Sequence, residues 1–420
     1  MNSIDWLIIG GGIHGVHLAA RLVGEAKIDS ARLKILDPGP RLLHHWRTFS
    51  AATGMTHLRS PVVQHLDLEP FSLRRYAGTR RDRAPGVLKG QYDRPSLGIF
   101  NAHCDSVIER FGLAGRHLRD QALHIDPSTD GVRVRTCSGE SLEAERVLLA
   151  IGTSHQPEWP EWAPRNEPRI QHVFDSEQLE TKLLGPKLNP TMGPTQGRVQ
   201  GPAQGPIQDK VKRLLVVGGG ISAAQVALRL VAEGHLVDLV SRHPFRVHEF
   251  DSSPGWLGPK LMPLFRNERD PDRRRHLIRE ARHRGSITPE LRRSLRFAVT
   301  SGKLAAHEGA VSDLQIKEDG LELKLASGRD LHGSRLYLAT GFAAYRPGGE
   351  MLDQLIEALD LPCAHCGFPI VDPWLRWHPR IHVSGPLAEL EIGPVARNIA
   401  GARRAGDRLI ASIRKQRRVA

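Results

Sequence analysis

Two short glycine-rich segments carry the clearest chemistry in this chain of 420 residues. Gly10-Gly11-Gly12-Ile13-His14-Gly15 follows the apolar run Ile4–Ile9. Gly218-Gly219-Gly220-Ile221-Ser222-Ala223-Ala224-Gln225 follows the apolar residues 214–217. At the turn from a strand into a helix, the first glycine permits a tight bend and the second lets the backbone approach a pyrophosphate. The third lets the helix pack against the strand. The helix N-terminus then presents free N–H groups and a partial positive charge to the phosphates. One such loop predicts a dinucleotide. Two predict two dinucleotides, with electrons passing from one to the other.

The residue at the tip of the next strand tells the two sites apart. After the first loop, Leu33-Lys34-Ile35-Leu36 ends in Asp37. A carboxylate there accepts hydrogen bonds from ribose hydroxyls and repels a 2′-phosphate, so Gly10, Gly12, Gly15 and Asp37 predict FAD or NAD. After the second loop, Leu236-Val237-Asp238-Leu239-Val240 ends in Ser241-Arg242-His243, with no acid at the tip. A hydroxyl and a guanidinium suit a 2′-phosphate, so Gly218, Gly220, Ser222, Ala223, Ser241 and Arg242 predict NADPH in preference to NADH. Asp238 lies within the strand and is not the ribose acid. Together the sites predict a flavoprotein in which NADPH delivers hydride to FAD.

The elements that must hold these loops repeat. Each half of the chain reads as strand, glycine loop, helix and strand. Each later has an apolar strand ending in glycine, at residues 147–152 and 336–341. Residues 185–208 repeat Gly-Pro-x-Gln units and have too few apolar side chains to offset their ordering entropy, so they predict a disordered insertion. The run Ile381-His382-Val383-Ser384-Gly385 is another strand, and Gly393-Pro394 is expected to open a final helix to about Ile413. The predicted fold is α/β with two Rossmann-type domains. FAD is assigned to residues 1–155 and 336–420, and NADPH to residues 156–335.

An apolar fraction of 40% and a charged fraction of 25% describe a soluble globular protein. Four scattered cysteines exclude a disulfide scaffold and point to a reducing, cytoplasmic setting. No run reaches the ~20 apolar residues of a membrane span. The net charge of +13 has its main source in residues 266–296, with eleven arginines against five acids. No zinc spacing, RNA-binding signature or aromatic array accompanies them, so nucleic-acid binding is not expected and the segment reads as a solvated basic face.

These motifs, taken in order, resemble the flavoproteins with two dinucleotide-binding domains. Among those, the chain is most similar to the flavin-dependent N-hydroxylating monooxygenases, the lysine and ornithine N-oxygenases. The resemblance rests on the first loop and on Trp46 with Gly54-Met55-Thr56-His57-Leu58-Arg59-Ser60-Pro61 and Pro70-Phe71-Ser72-Leu73. It also rests on the second loop, on His248-Glu249-Phe250-Asp251 and on Ala339-Thr340-Gly341-Phe342. It implies that Trp46, Met55, His57 and Arg59 lie beside the isoalloxazine, with Arg59 as a cation for the reduced flavin. It implies a substrate-side loop at His248 and Glu249, and a cofactor role for Thr340 and Gly341. It implies hydroxylation of a nitrogen on a small amine by a C4a-hydroperoxyflavin formed with oxygen, with no metal. Relatives often form dimers or tetramers, so a homo-oligomer is expected.

This sequence departs from the family at three places. His248 stands where the family has Asn. Residues 185–208 have no counterpart. Pro386 follows Gly385 where many relatives carry Asp, so the flavin end is assigned to Gly393 at the opening of the last helix. Cys363-Ala364-His365-Cys366 falls after Gly341, outside the region where a disulfide reductase carries its CxxC, and reads as ordinary thiols. Two other functions fit the cofactor loops. One is an NADPH-dependent flavin reductase or oxidase without oxygen insertion, and the other is a flavin-binding regulatory partner protein.

Overall fold

The computed structural model describes residues 4–79, 83–176, 178–179 and 211–419. The proposed insertion at 185–208 lies outside the described residues. The chain divides into two compact units. The first comprises Met1–Gln156, Arg246–Thr288 and Phe342–Ala420, and the second comprises Pro157–Phe245 and Pro289–Gly341.

In the first unit, strand Ile4–Ile9 lies parallel between Leu33–Leu36 and Ser141–Leu149, with Ile8 opposite both Ile35 and Leu148. Strand Ile381–Val383 joins in parallel on the far side of Ser141–Leu149, so the end of the chain returns to the first sheet. A parallel sheet is covered on both faces, which is why its strands read as unbroken apolar runs. Trp6, Leu7 and Ile8 are fully buried, each side chain contributing about 1.5–3 kcal/mol by leaving water. Helix Ile13–Gly24 buries Val16, Leu18, Ala19 and Leu22. The last helix, Ile399–Val419, packs along it, and Arg21 bridges the two by an ion pair to Asp407 at 2.7 Å.

The second unit repeats the plan. Its five parallel strands run in the order Leu304–Glu308, Leu236–Ser241, Arg213–Val217, Arg335–Leu338, Ile170–His172. Again the strand before the glycine loop lies between the strand that follows it and a strand from later in the chain. A three-stranded antiparallel sheet, Val311–Lys317, Gly320–Leu325 and Asp330–Gly333, completes the unit.

The unit limits differ from the sequence reading in two places. Strand Arg335–Leu338 is hydrogen-bonded into the second sheet, so the chain re-enters the first unit at Phe342 and not at residue 336. Residues Arg246–Thr288, expected inside the second domain, pack with the first. Their side chains explain this: Trp256, Met262, Phe265 and Ile278 join the apolar core of the first unit.

Candidate functional site

The first glycine loop is shaped by contacts that leave no room for side chains. Gly10 has φ +111°, and a Cβ there would meet the Ala150 carbonyl oxygen at 2.6 Å. A Cβ on Gly15 would lie 1.8 Å from the Gly10 carbonyl oxygen, so this glycine brings the helix onto the loop. Gly12 differs: it caps helix Ile13–Gly24 in extended conformation, and no atom lies within 4 Å of its would-be Cβ. The space that a pyrophosphate needs is thus open beside Gly12, with the free N–H groups of the helix start next to it. The Asp37 carboxylate accepts from the Gly11 N–H at 2.6 Å and the Gly39 N–H at 2.9 Å. It therefore also braces the loop, and each oxygen keeps a second lone pair for a ribose hydroxyl.

The second loop has the same form. Gly218 has φ +153°, and its would-be Cβ meets the Ala339 carbonyl oxygen at 2.4 Å. Gly220 caps helix Ile221–Ala232, which begins with Ile221 and Ser222 and buries Ala223. Ser241 is buried behind Gly219 and donates its hydroxyl to the His243 carbonyl at 2.6 Å, so the hydroxyl proton is committed to the turn. Arg242 projects into solvent, where a phosphate can be met. Asp238, buried in the strand, pairs with Arg213 at 2.9 Å and with His307 at 2.7 Å, which confirms a structural role. Thr340 donates to the Glu158 carbonyl at 2.5 Å and contacts the His172 Nε2 at 3.0 Å, and Gly341 follows with φ +90°. Because the Phe174 N–H donates to His172 Nδ1, the proton of this imidazole sits on Nε2 and faces Thr340. Burial pushes the His172 pKa down to about 4, so the ring is neutral.

The segments expected beside the flavin and the substrate come together in the first unit. Arg59 donates to the carbonyls of His248 at 2.7 Å, Glu249 at 3.2 Å and Phe250 at 2.7 Å, and to Ser286 Oγ at 3.0 Å. Arg94, which the sequence did not single out, donates to the Glu249 carbonyl at 2.9 Å and pairs with its carboxylate at 2.6 Å. Arg59 is therefore a clamp on the 248–250 segment and not a free cation. Glu249 is a paired acid and not a free base. His248 is exposed and stacks on His283, with ring centroids 3.7 Å apart and planes inclined by 17°. Partial desolvation, then the neighbouring His283, lowers its pKa.

Trp46 packs on Phe100 and donates to Asn101 Oδ1 at 3.0 Å, and Met55 is half-buried against the core. His57 bonds the Gly86 carbonyl at 2.7 Å. Gly393 lies beside Phe265 and Met262, but it does not open the last helix. It ends the short helix Glu389–Ile392 with φ +93°, turns occupy the residues to Asn398, and the long helix starts at Ile399. The Asn398 side chain accepts from the Gly401 N–H at 3.0 Å, so part of the helix start is already capped.

The arginine-rich stretch 266–296 is not wholly a solvated face. Arg275 is buried, ion-paired to Glu389, and stacked 4.0 Å above the centre of the Phe368 ring. Arg397 donates to the same carboxylate at 2.7 Å. Burial brings the pKa values of Arg59, Arg275, Arg282 and Arg397 each down to about 10, which leaves all four charged at neutral pH. Composition alone gives no sign of which arginines turn inward; the apolar spacing of Phe265 and Ile278 around them is the one available hint. Cys363 and Cys366 are unpaired thiols in the first unit, and burial pushes the Cys363 pKa up, which leaves little thiolate.

Residues 7–154 match the model of a family described as FAD-NAD(P)-binding. No curated protein matches the sequence. Among solved structures, the chain is similar to ornithine N-hydroxylase from Kutzneria sp. 744, whose structure contains reduced FAD, NADP+ and L-ornithine. The TM-score is 0.74 at 15% identity, over 99% of this chain and 100% of that one. It is similar to ornithine hydroxylase from Pseudomonas aeruginosa, with a TM-score of 0.72 at 18% identity over 98% and 99% of the two chains. It is also similar to a bacillithiol disulfide reductase from Staphylococcus aureus, with a TM-score of 0.60 at 16% identity over 99% of both. At these identities the likeness is one of fold, that of proteins with two Rossmann-type units. Among the described residues, no helix is long and apolar enough to cross a membrane.

Proposed function

We propose that this chain is an FAD-containing, NADPH-dependent oxidoreductase, and specifically a monooxygenase that hydroxylates a nitrogen of a small amine. The observation that carries this reading is the pair of glycine loops with opposite tips, Asp37 in one unit and Ser241-Arg242 in the other. The fold shared with an ornithine hydroxylase that holds both cofactors supports it.

In this reading the open space at Gly12 and the start of helix Ile13–Gly24 receive the FAD pyrophosphate. Asp37 turns its remaining lone pairs to the adenosine ribose. Gly220 and Ser222 receive the NADPH pyrophosphate, and Arg242 pairs with the 2′-phosphate. Bound FAD would supply the hydride acceptor for NADPH and the chemistry with oxygen. The chain contributes orientation, exclusion of water and a polar environment fixed in advance. Arg59 and Arg94 hold His248 and its neighbours in one conformation by their backbone carbonyls, which presents the His248–His283 stack to a substrate. Four unpaired thiols support a reducing, cytoplasmic setting.

The likeness to a disulfide reductase gives a second reading, an NADPH-dependent reductase or oxidase without oxygen insertion. The raised Cys363 pKa weighs against dithiol chemistry at Cys363 and Cys366. One experiment separates the readings. The FAD-loaded protein is reduced anaerobically with NADPH, then mixed with oxygen and a panel of small amines, and hydroxylamine and peroxide are both quantified. Hydroxylamine formed in proportion to NADPH consumed is expected. Stoichiometric peroxide with every amine would establish the oxidase, and failure of NADPH to bleach the flavin would overturn both readings.

A further inference from the structure

Hydride transfer from NADPH brings two electrons and one proton to the flavin, so the products are NADP+ and a reduced ring with one negative charge. That charge needs a partner. Arg59 has the right sequence position, but it spends Nε and Nη2 on three carbonyls and a hydroxyl.

Arg59 belongs to a larger network within the first unit. Asp251 lies in the field of both Arg59 and Arg282, and Arg282 is in turn a close neighbour of Arg397. Arg397 and Arg275 share Glu389. With Arg94 and Glu249, this places five guanidiniums against three carboxylates. The cluster is partly buried, with Arg94, Arg275 and Glu389 deepest, and its surplus positive charge is costly there unless an anion completes it.

The donors decide where the anion goes. Arg275 uses one terminal nitrogen on Glu389 and the other on the Ala344 carbonyl at 2.8 Å. The Arg282 side chain also has donors to spare among the described residues, but its loose approach to Asp251, at 4.0 Å, does not fix its orientation. Arg397 is anchored through Nε to Glu389 at 2.7 Å, and neither of its terminal nitrogens bonds a described residue. Its neighbour Asn398 lies with its backbone against the His14 imidazole, in the first turn of the phosphate-loop helix, and His14 also bonds Ser384 Oγ at 2.8 Å. The Arg397 turn is thus built onto the same element that would hold the pyrophosphate.

We propose that Arg397, oriented by Glu389, is the fixed cation that stabilises the anionic reduced flavin. The inference rests on the FAD reading and gives a task to residues that the cofactor motifs leave unused. Glu389 is a positioning residue in this account. It also sets the net charge, because removing its carboxylate leaves the two arginines unbalanced.

The test is a spectroelectrochemical titration of bound flavin in the wild type, R397M, R397K and E389Q, with thermal unfolding recorded for each. R397M is expected to lose about tenfold of its preference for reduced over oxidised flavin. That corresponds to about 30 mV of lower potential for a two-electron couple. R397K should stay within about threefold of wild type, and E389Q should move the potential upward. If R397M does not fold, the opposite displacement in E389Q and the near-wild-type R397K carry the test. Unchanged potentials in R397M and E389Q with FAD retained would overturn the proposal. So would equal weakening of oxidised and reduced FAD in R397M, the signature of a pyrophosphate contact. A wild type that takes up no FAD would instead remove the cofactor reading itself, before any variant is compared.

Discussion

The two units solve one problem with different tolerances. In both, the first glycine is met by a carbonyl just past the end of the neighbouring strand, Ala150 in one and Ala339 in the other. The third position then diverges. The first loop admits no atom beyond hydrogen at Gly15, whereas the second carries the Ala223 methyl at the equivalent place. The tips diverge as well. Asp37 turns back to brace Gly11 and Gly39, while Ser241 is buried in its own turn and Arg242 is left in solvent. The lesson is that one loop pattern builds the same backbone turn twice, while the residues at the strand tip put a carboxylate beside one loop and an exposed guanidinium beyond the other.

Breaking the tight loop should have the largest effect. Gly15→Val drives a side chain into the Gly10 carbonyl and should cost the first unit about 3 kcal/mol or more by overpacking. Ala223→Gly, at the looser position, should cost only about 1 kcal/mol, the usual effect of glycine in a helix. Denaturant unfolding of both variants measures the difference, and equal losses would refute the contrast.

A complementary pair separates the two cofactors. Gly12→Val fills space that is open in this structure and should leave the fold intact while abolishing retention of FAD. Gly220→Val should spare FAD and abolish reduction by NADPH. A yellow, fully loaded Gly12→Val protein would sink the assignment of the first loop.

At the tips the effect is smaller. Arg242→Ala should raise the KM for NADPH about tenfold or more, the worth of a charge-assisted hydrogen bond, and leave the KM for NADH nearly unchanged. Equal losses for both nucleotides would remove Arg242 as the reader of the 2′-phosphate.

The smallest difference between the units is one of pH dependence. In the first unit, burial lowers the pKa values of His14, His65 and His103 to about 4 and of His17 and His382 to about 3, and in the second it lowers that of His172 to about 4. A histidine with a depressed folded pKa binds fewer protons when native than when unfolded. Its contribution is present above the ordinary value of 6.5 and is lost as pH falls from there toward the folded value. The first unit should therefore lose more hydrogen-exchange protection than the second between pH 6.5 and 5, after correction for intrinsic exchange. Parallel losses in the two units would show that these histidines do not distinguish them.

Much of this was legible because the signals are local. Strand Ile4–Ile9, the loop after it and the acid at residue 37 lie close together in sequence, and each follows from backbone geometry and side-chain type. The same holds for the second loop with Ser241 and Arg242. From sequence the last helix opens at Gly393-Pro394, since proline is favoured in a first helical turn, whereas a positive φ at Gly393 makes that residue a terminator of the preceding helix. The sequence does not mark the limits of the second unit, because Trp256 and Phe265 look like core residues in any domain. Which core they enter is a long-range question.

The two Rossmann-type cradles can be read from residues close together in the chain, because a tight turn, a close approach and a strand-end side chain are decided within a few tens of residues. Only the tertiary structure decided that Arg59 grips three carbonyls, that Arg94 holds Glu249, and that Arg275 and Arg397 share Glu389. An arginine carries the same charge wherever it stands in a sequence. Its role depends on which distant acceptors claim its donors, and only the packed fold brings residues such as 275, 389 and 397 within reach of one another.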